Sequence, residues 1–71
     1  MTQNMTFTFD SDNSDSRYAG KSFPAAWGCW REGEWQEDSE NGTTLLVWDA
    51  DWGWSPIFQP EEFGVLEGDA V

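Results

Sequence analysis

Apolar and polar residues alternate most cleanly near the start of the chain. Met5-Thr6-Phe7-Thr8-Phe9 places Met5, Phe7 and Phe9 on one side and two threonines on the other. That period of two predicts a strand with one buried face. The polar run 10–16 breaks it, because Asp, Asn and Ser side chains favour turns and helix caps over a ladder. Residues 17–21 fit a helical turn capped by Ser14 or Asp15 and ended by Gly20. Residues 22–27, with Pro24 in the first turn, predict a second short helix that Gly28 weakens. Trp30 to Gln36 reads as a strand and Thr43 to Trp48 as a stronger one, with Asn41-Gly42 between them as a hairpin turn. If Asn41 and Gly42 are the central turn residues, Gln36 faces Val47 and Trp35 faces Trp48, which predicts a buried aromatic pair. The same register sets Glu34 against Asp49, a repulsive pairing that leaves a wider loop over residues 37–42 open. Residues 49–56 form a turn leading to an edge segment at Ile57-Phe58, which Pro60 stops. Phe63, Val65 and Leu66 make a last apolar patch before a frayed end. The pattern predicts a small β-rich α+β fold: one domain over 1–71, an antiparallel sheet built round a central hairpin, and one or two short helical turns.

Composition sharpens this. At 71 residues, with six Trp, five Phe and one Tyr, the core has to be largely aromatic. Cys29 is the single cysteine, so no intramolecular disulfide can staple the fold. No basic segment precedes an apolar run, and no apolar run approaches the length of a membrane span. A cytoplasmic protein is expected, as a monomer or weak dimer.

Charge decides which partners are open to it. Fourteen acidic residues oppose Arg17, Lys21 and Arg31, a formal net charge of −11. Nucleic acid and anionic membranes are excluded as direct partners, because both are bound through Lys and Arg. A basic protein is attracted over about one Debye length, roughly 8 Å in physiological salt.

Catalytic chemistry has little to work with. There is no His, which removes the commonest general base and a common metal ligand. Cys29 sits in an acidic setting, which does not activate a thiol, and reads as structural between Trp27 and Trp30. The run from Asp10 meets an EF-hand template with Asp15 and Lys21 where Gly and Glu are needed, so it reads as a polar turn. No catalytic residue, cofactor or metal is expected.

The segment WREGEWQEDSENG, residues 30–42, carries five carboxylates and two tryptophans. Alternate residues of a strand share a face about 6.6–6.8 Å apart. Glu32, Glu34, Asp38 and Glu40 are then one acidic row with Trp35 behind it, and Asp49 and Asp51 join if the hairpin register holds. Phosphate charges advance about 3.4 Å each along a nucleic-acid strand, so such a row has the spacing of a false backbone. The tryptophans would hold it in place, and a fixed array loses less entropy on binding than a loose acidic tail.

In size and charge the whole chain resembles the phage-encoded inhibitors of bacterial defence systems, the anti-CRISPR proteins and other DNA mimics. That resemblance implies occupation of a basic nucleic-acid-binding surface on a Cascade-type complex, a Cas nuclease, a restriction enzyme or a repair enzyme. Two other readings stay open. A halophilic acidic domain has the same composition but needs molar salt to fold. A phage structural or regulatory subunit could dock a basic protein without competing with DNA.

Overall fold

The computed structural model describes residues 4–69. The frayed ends expected from the sequence lie outside them. Six strands follow one another: β1 (Asn4–Phe9), β2 (Ser22–Arg31), β3 (Glu34–Glu37), β4 (Thr44–Asp49), β5 (Gly53–Ile57) and β6 (Gly64–Asp69), with a 3-10 turn at Pro60–Glu62. All pair antiparallel in one sheet ordered β5-β4-β2-β1-β6, with β3 also on β2. The β-rich antiparallel architecture is as expected.

The ten-residue β2 organises the sheet. Ala25 pairs with both Met5 and Val47, so β1 and β4 lie on opposite edges of β2. Gly28 pairs with both Glu37 and Thr44, so β3 and β4 are also on opposite edges. Strands β1 and β3 therefore share one edge of β2, end to end. Where a helix was expected over 22–27, Phe23, Ala25 and Trp27 instead keep strand alternation. Pro24 is tolerated because β4 reaches only as far as Ala25, so no β4 residue pairs with it.

The core face is filled by the sheet's own residues. Met5, Phe7, Ala25, Leu45 and Val47 are buried, with Phe9, Phe23, Trp27, Ile57 and Leu66 packed round them. Phe7 and Leu45, on strands separated by β2, are at 0% and 1% exposure. Among the described residues no second layer supplies that cover, so the sheet curls. Pro60, in the crossing from β5 to β6, borders Phe7 and Leu66 on one side and Trp27, Leu45 and Ile57 on the other. The helical turn expected after the polar run is present in outline. The amides of Tyr18 and Ala19 donate to the Asp15 carbonyl, the Arg17 amide donates to the Asp15 carboxylate, and Gly20 ends the turn at φ 70°.

The Asn41-Gly42 hairpin does not form. Strands β3 and β4 flank β2 instead of pairing, and residues 38–43 connect them past Gly28. The Gly42 amide donates to the Asp38 carbonyl and the Thr43 amide to the Gly28 carbonyl. A Cβ on Gly42 would run into the Gly28 backbone, and one on Gly28 into the Gln36 carbonyl and Leu46 Cδ1. Both glycines are required by close approach. The tight turn of this region is Glu32-Gly33, with φ 54° and 83°, the paired positive values of a two-residue hairpin turn.

The expected Trp35–Trp48 pair is replaced by two others. Trp30 stands opposite Trp35 and Trp48 opposite Trp54, each with ring centroids 5.3 Å apart at 76°. Trp48 is 45% exposed and not a core residue. Trp35 is half-buried and also touches Phe58, 6.3 Å away. That contact ties β3 to the chain just after β5.

The crossing at Gly28 generates a stability prediction. Gly28→Ala lowers the free energy of unfolding by about 1–3 kcal/mol, the usual cost of overpacking a closed site. Urea denaturation measures it, and an unshifted midpoint would show that Gly28, Gln36 and Leu46 are not in contact.

Candidate functional site

The β2–β3 hairpin sorts its side chains by face. Register places Trp30 opposite Trp35 on one face, and Arg31 opposite Glu34 and Cys29 opposite Gln36 on the other. Asp38 joins that polar face through Arg31, whose Nη2 donates to its Oδ2 at 2.8 Å and to Cys29 Sγ at 3.4 Å. Gln36 Nε2 donates to Glu34 Oε2 and to the Arg31 carbonyl, both at 3.3 Å. Glu34 and, just beyond β3, Asp38 therefore share the face opposite Trp35, but Gln36 and Arg31 stand between them.

The six candidate carboxylates have different surroundings. Asp38 is a turn-holder: Oδ1 accepts the amides of Glu40 and Asn41 at 3.0 and 2.9 Å. Those amides, Asn41 first, hold its pKa below the usual carboxylate range, with Arg31 adding to them. Asp49 does the same for the β4–β5 turn. Its Oδ1 accepts the amides of Asp51 and Trp52, and its Oδ2 accepts the Tyr18 hydroxyl at 3.2 Å. The Asp51 amide is the main cause of its lowered pKa. Glu32, Glu34, Glu40 and Asp51 are exposed. Glu32 is on the hairpin turn, Glu34 on β3, Glu40 in the loop after it and Asp51 on the β4–β5 turn.

These positions do not form one row. Strand β4 runs antiparallel to β2, so Asp49 lies towards the Phe23 end of β2 and Glu32 beyond its Arg31 end. One acidic group comprises Glu32, Glu34 and Glu40. The other end carries Asp49 and Asp51, joined by Asp10, Asp12 and Asp15 of the β1–β2 connection, which the Tyr18–Asp49 bond draws close. Sequence reasoning missed Glu37, an exposed acid at the end of β3 opposite Gly28. Its odd number put it on the tryptophan face of an ideal strand, and no periodic signal marks where that strand ends.

The three cations are mostly engaged. Arg17 pairs with Asp15 at 2.9 Å and Arg31 with Asp38. Among the described residues, Asp10, Asp12, Glu32, Glu34, Glu37, Glu40, Asp51, Glu61, Glu62 and Glu67 are exposed with no cation bound to them. No group of three or more His, Cys, Asp or Glu among these residues could hold a metal ion. No described helix is long and apolar enough to cross a membrane. Comparison with protein-family profiles, with characterised protein sequences and with solved structures returns no match.

Two opposing terms set the pH dependence. Self-repulsion relaxes as pH falls from neutral towards the pI of about 4.1. Asp15, Asp38 and Asp49 have lowered pKa values, the largest causes being the Arg17 side chain, the Asn41 amide and the Asp51 amide respectively. Their stabilisation is complete above the unfolded-chain value of about 3.9 and is lost as pH falls through the folded values below it. At low salt the melting temperature should rise from pH 7 to about pH 4.5 and then fall below about pH 3.9. Asp38→Asn should lower it at neutral pH and flatten the acid limb. Thermal melts across pH 2.5–7.5 on both proteins measure this, and a monotonic rise to the lowest pH would contradict the turn-holding role.

Proposed function

We propose that this chain is a non-catalytic inhibitor that occupies the basic nucleic-acid-binding surface of a bacterial defence or DNA-processing protein. The observation that carries the reading is the β2–β3 hairpin with its following loop. Glu32, Glu34, Glu37 and Glu40 are exposed there, while Arg31 is bound to Asp38. The array is held by backbone pairing, by the Trp30–Trp35 contact and by the Asp38 turn. Its order is set before any partner arrives, so little entropy is lost on docking. Partners of this chemistry include a Cascade-type complex, a Cas nuclease, a restriction enzyme or a repair enzyme. Their Lys and Arg side chains would meet carboxylates where they otherwise meet phosphates. Asp38 and Asp49 serve this reading indirectly, by fixing the loops that carry Glu40 and Asp51.

The test has two stages. Immobilised protein is used to capture a partner from nuclease-treated bacterial lysate at physiological ionic strength, and the captured protein is then offered labelled DNA. The parent chain should displace the DNA. The variant E32Q/E34Q/E37Q/E40Q should lose about 10- to 100-fold in that competition, since each exposed pair contributes little alone. Its melting temperature should hold or rise as repulsion is removed. The parent's affinity should also drop with added salt. A folded fourfold variant that displaces DNA as well as the parent would overturn the carboxylate array. A chain that folds only in molar salt would favour the halophilic reading.

A further inference from the structure

One concavity, beside Phe9, Phe23 and Val47, is lined largely by aromatic rings. It has a volume of about 510 Å³ and is lined by Phe9, Tyr18, Phe23, Phe58, Phe63 and Asp49, among others. Tyr18, Phe9 and Phe23 form one cluster, with ring centroids 5.2–5.7 Å apart. Phe58 and Phe63, 64% and 45% exposed, stand on its lips. The volume falls within the range of ligand clefts, about 300–1,000 Å³. The polar element is the Asp49 carboxylate. Its Oδ1 is occupied by two amides, whereas Oδ2 holds a single hydrogen bond, the 3.2 Å contact from Tyr18. A carboxylate has about four acceptor sites, so one on Oδ2 is left for a ligand.

This chemistry selects a cation on an apolar stem. Aromatic faces attract guanidinium and ammonium groups, and the protein already does so with its own Arg17, whose guanidinium lies 5.4 Å from the Tyr18 ring centre. That arginine is itself held by Asp15 at 2.9 Å. The surroundings are acidic: Asp10 donates its amide to the Phe63 carbonyl, Glu62 precedes Phe63, and Asp51 follows Asp49 by two residues. Pro56, on the outer strand β5, has no N–H to offer a ladder. A bound chain would therefore dock through its side chains and not by adding a strand.

We propose that this aromatic groove receives a segment of the basic partner in which an arginine or lysine is flanked by apolar side chains, the cation directed at Asp49 and Tyr18. The inference rests on the function proposed above only for the sign of the partner's charge. It makes binding two-sited, with the carboxylates of the β2–β3 hairpin on the partner's basic surface and the groove on an apolar–cationic segment beside it.

The test uses three short peptides, of alternating leucine and arginine, leucine and glutamine, and serine and arginine. Each is titrated into the full chain at physiological salt and followed by NMR of the aromatic side chains. The leucine–arginine peptide should shift the Tyr18 and Phe63 signals and bind at least about tenfold more tightly than either control. F58S also removes the Phe58–Trp35 contact, so F58S/F63S should melt lower yet stay folded, and below its transition should lose about tenfold in affinity for that peptide. F63S alone should keep the melting temperature and lose part of that affinity. E32Q/E34Q/E37Q/E40Q should change it by less than about threefold. Equal binding of leucine–glutamine would make the groove merely apolar, and equal binding of serine–arginine would make the attraction merely electrostatic; either overturns the proposal. So would an unchanged F58S/F63S, or a concentration-dependent dimer that this variant abolishes, which would give the groove to a second copy. DNA displacement that survives F58S/F63S with no peptide binding would remove the groove and leave the carboxylate array standing. Peptide binding without DNA displacement would do the reverse.

Discussion

Everything in this fold depends on β2 hydrogen-bonding to three strands at once. The described residues form one sheet and no second layer, so the sheet curls until its own face is its core. The bend falls where β1 ends and β3 begins along the same edge, and there the backbone of 38–43 passes against Gly28. A side chain at that point would hold the strands apart. With none, Leu46 packs down onto Gly28 and is fully buried on the face opposite the main core. The sheet thus has buried positions on both faces, Phe7 and Leu45 on one and Ala26 and Leu46 on the other. That explains how a domain with so few aliphatic residues closes at all.

What was legible in the sequence follows from this geometry. Strand β1 was plain because one of its faces is buried and the other is not, so its alternation is undisturbed. The turn ending at Gly20 was plain because Gly20 acts locally. Strand β5 was placed too late, at Ile57-Phe58 after a turn over 49–56: the strand is Gly53–Ile57, and Gly53 and Pro56 within it read as turn residues. Strand β2 was hidden because its centre is buried on both faces, which erases alternation, and because Pro24 imitates a helix start. Strand β6 was seen only as an apolar patch, since its pairing with β1 depends on a partner some sixty residues earlier in the chain. The hairpin error has one physical origin. Asn-Gly is a strong signal when Gly is wanted for positive φ, but Gly42 is wanted for the missing Cβ. The true turn, Glu32-Gly33, places a glutamate in the left-handed region, where Asn or Asp is commoner.

The candidate acids divide along the same line. Counting by twos put Glu34 and Asp38 on one face and Trp35 on the other, and that held because it needs only a strand. It did not reveal that Arg31 faces the same way, because register with β2 was needed to know it. It also did not separate carboxylates that hold the fold from those free to meet a partner. Asp38 and Asp49 each stand just where a strand gives way to a turn, with two amides following within three residues. An aspartate at the head of a polar turn is a capping position by local chemistry alone, and this signal was present in the sequence.

The division bears on how such a chain tolerates its charge. Among the described residues ten exposed acids without bound cations repel one another, and the arginines do not offset this generally. Each is committed to one structural aspartate, Arg17 to Asp15 in the β1–β2 connection and Arg31 to Asp38 after β3. The two arginines therefore order loops, and the ten exposed acids elsewhere among the described residues have no cation bound to them. A sequence shaped only to lower repulsion would scatter its few cations among the exposed acids. Here local order is kept, and under the function proposed above the acids left without a cation are the ones that would meet a partner's basic surface. The aromatic groove fits the same logic. Electrostatic attraction steers a basic surface and sets its approach rate, but exposed pairs hold it weakly once salt is present. In the two-sited binding proposed above, a desolvated aromatic anchor would supply the persistence that the carboxylates lack.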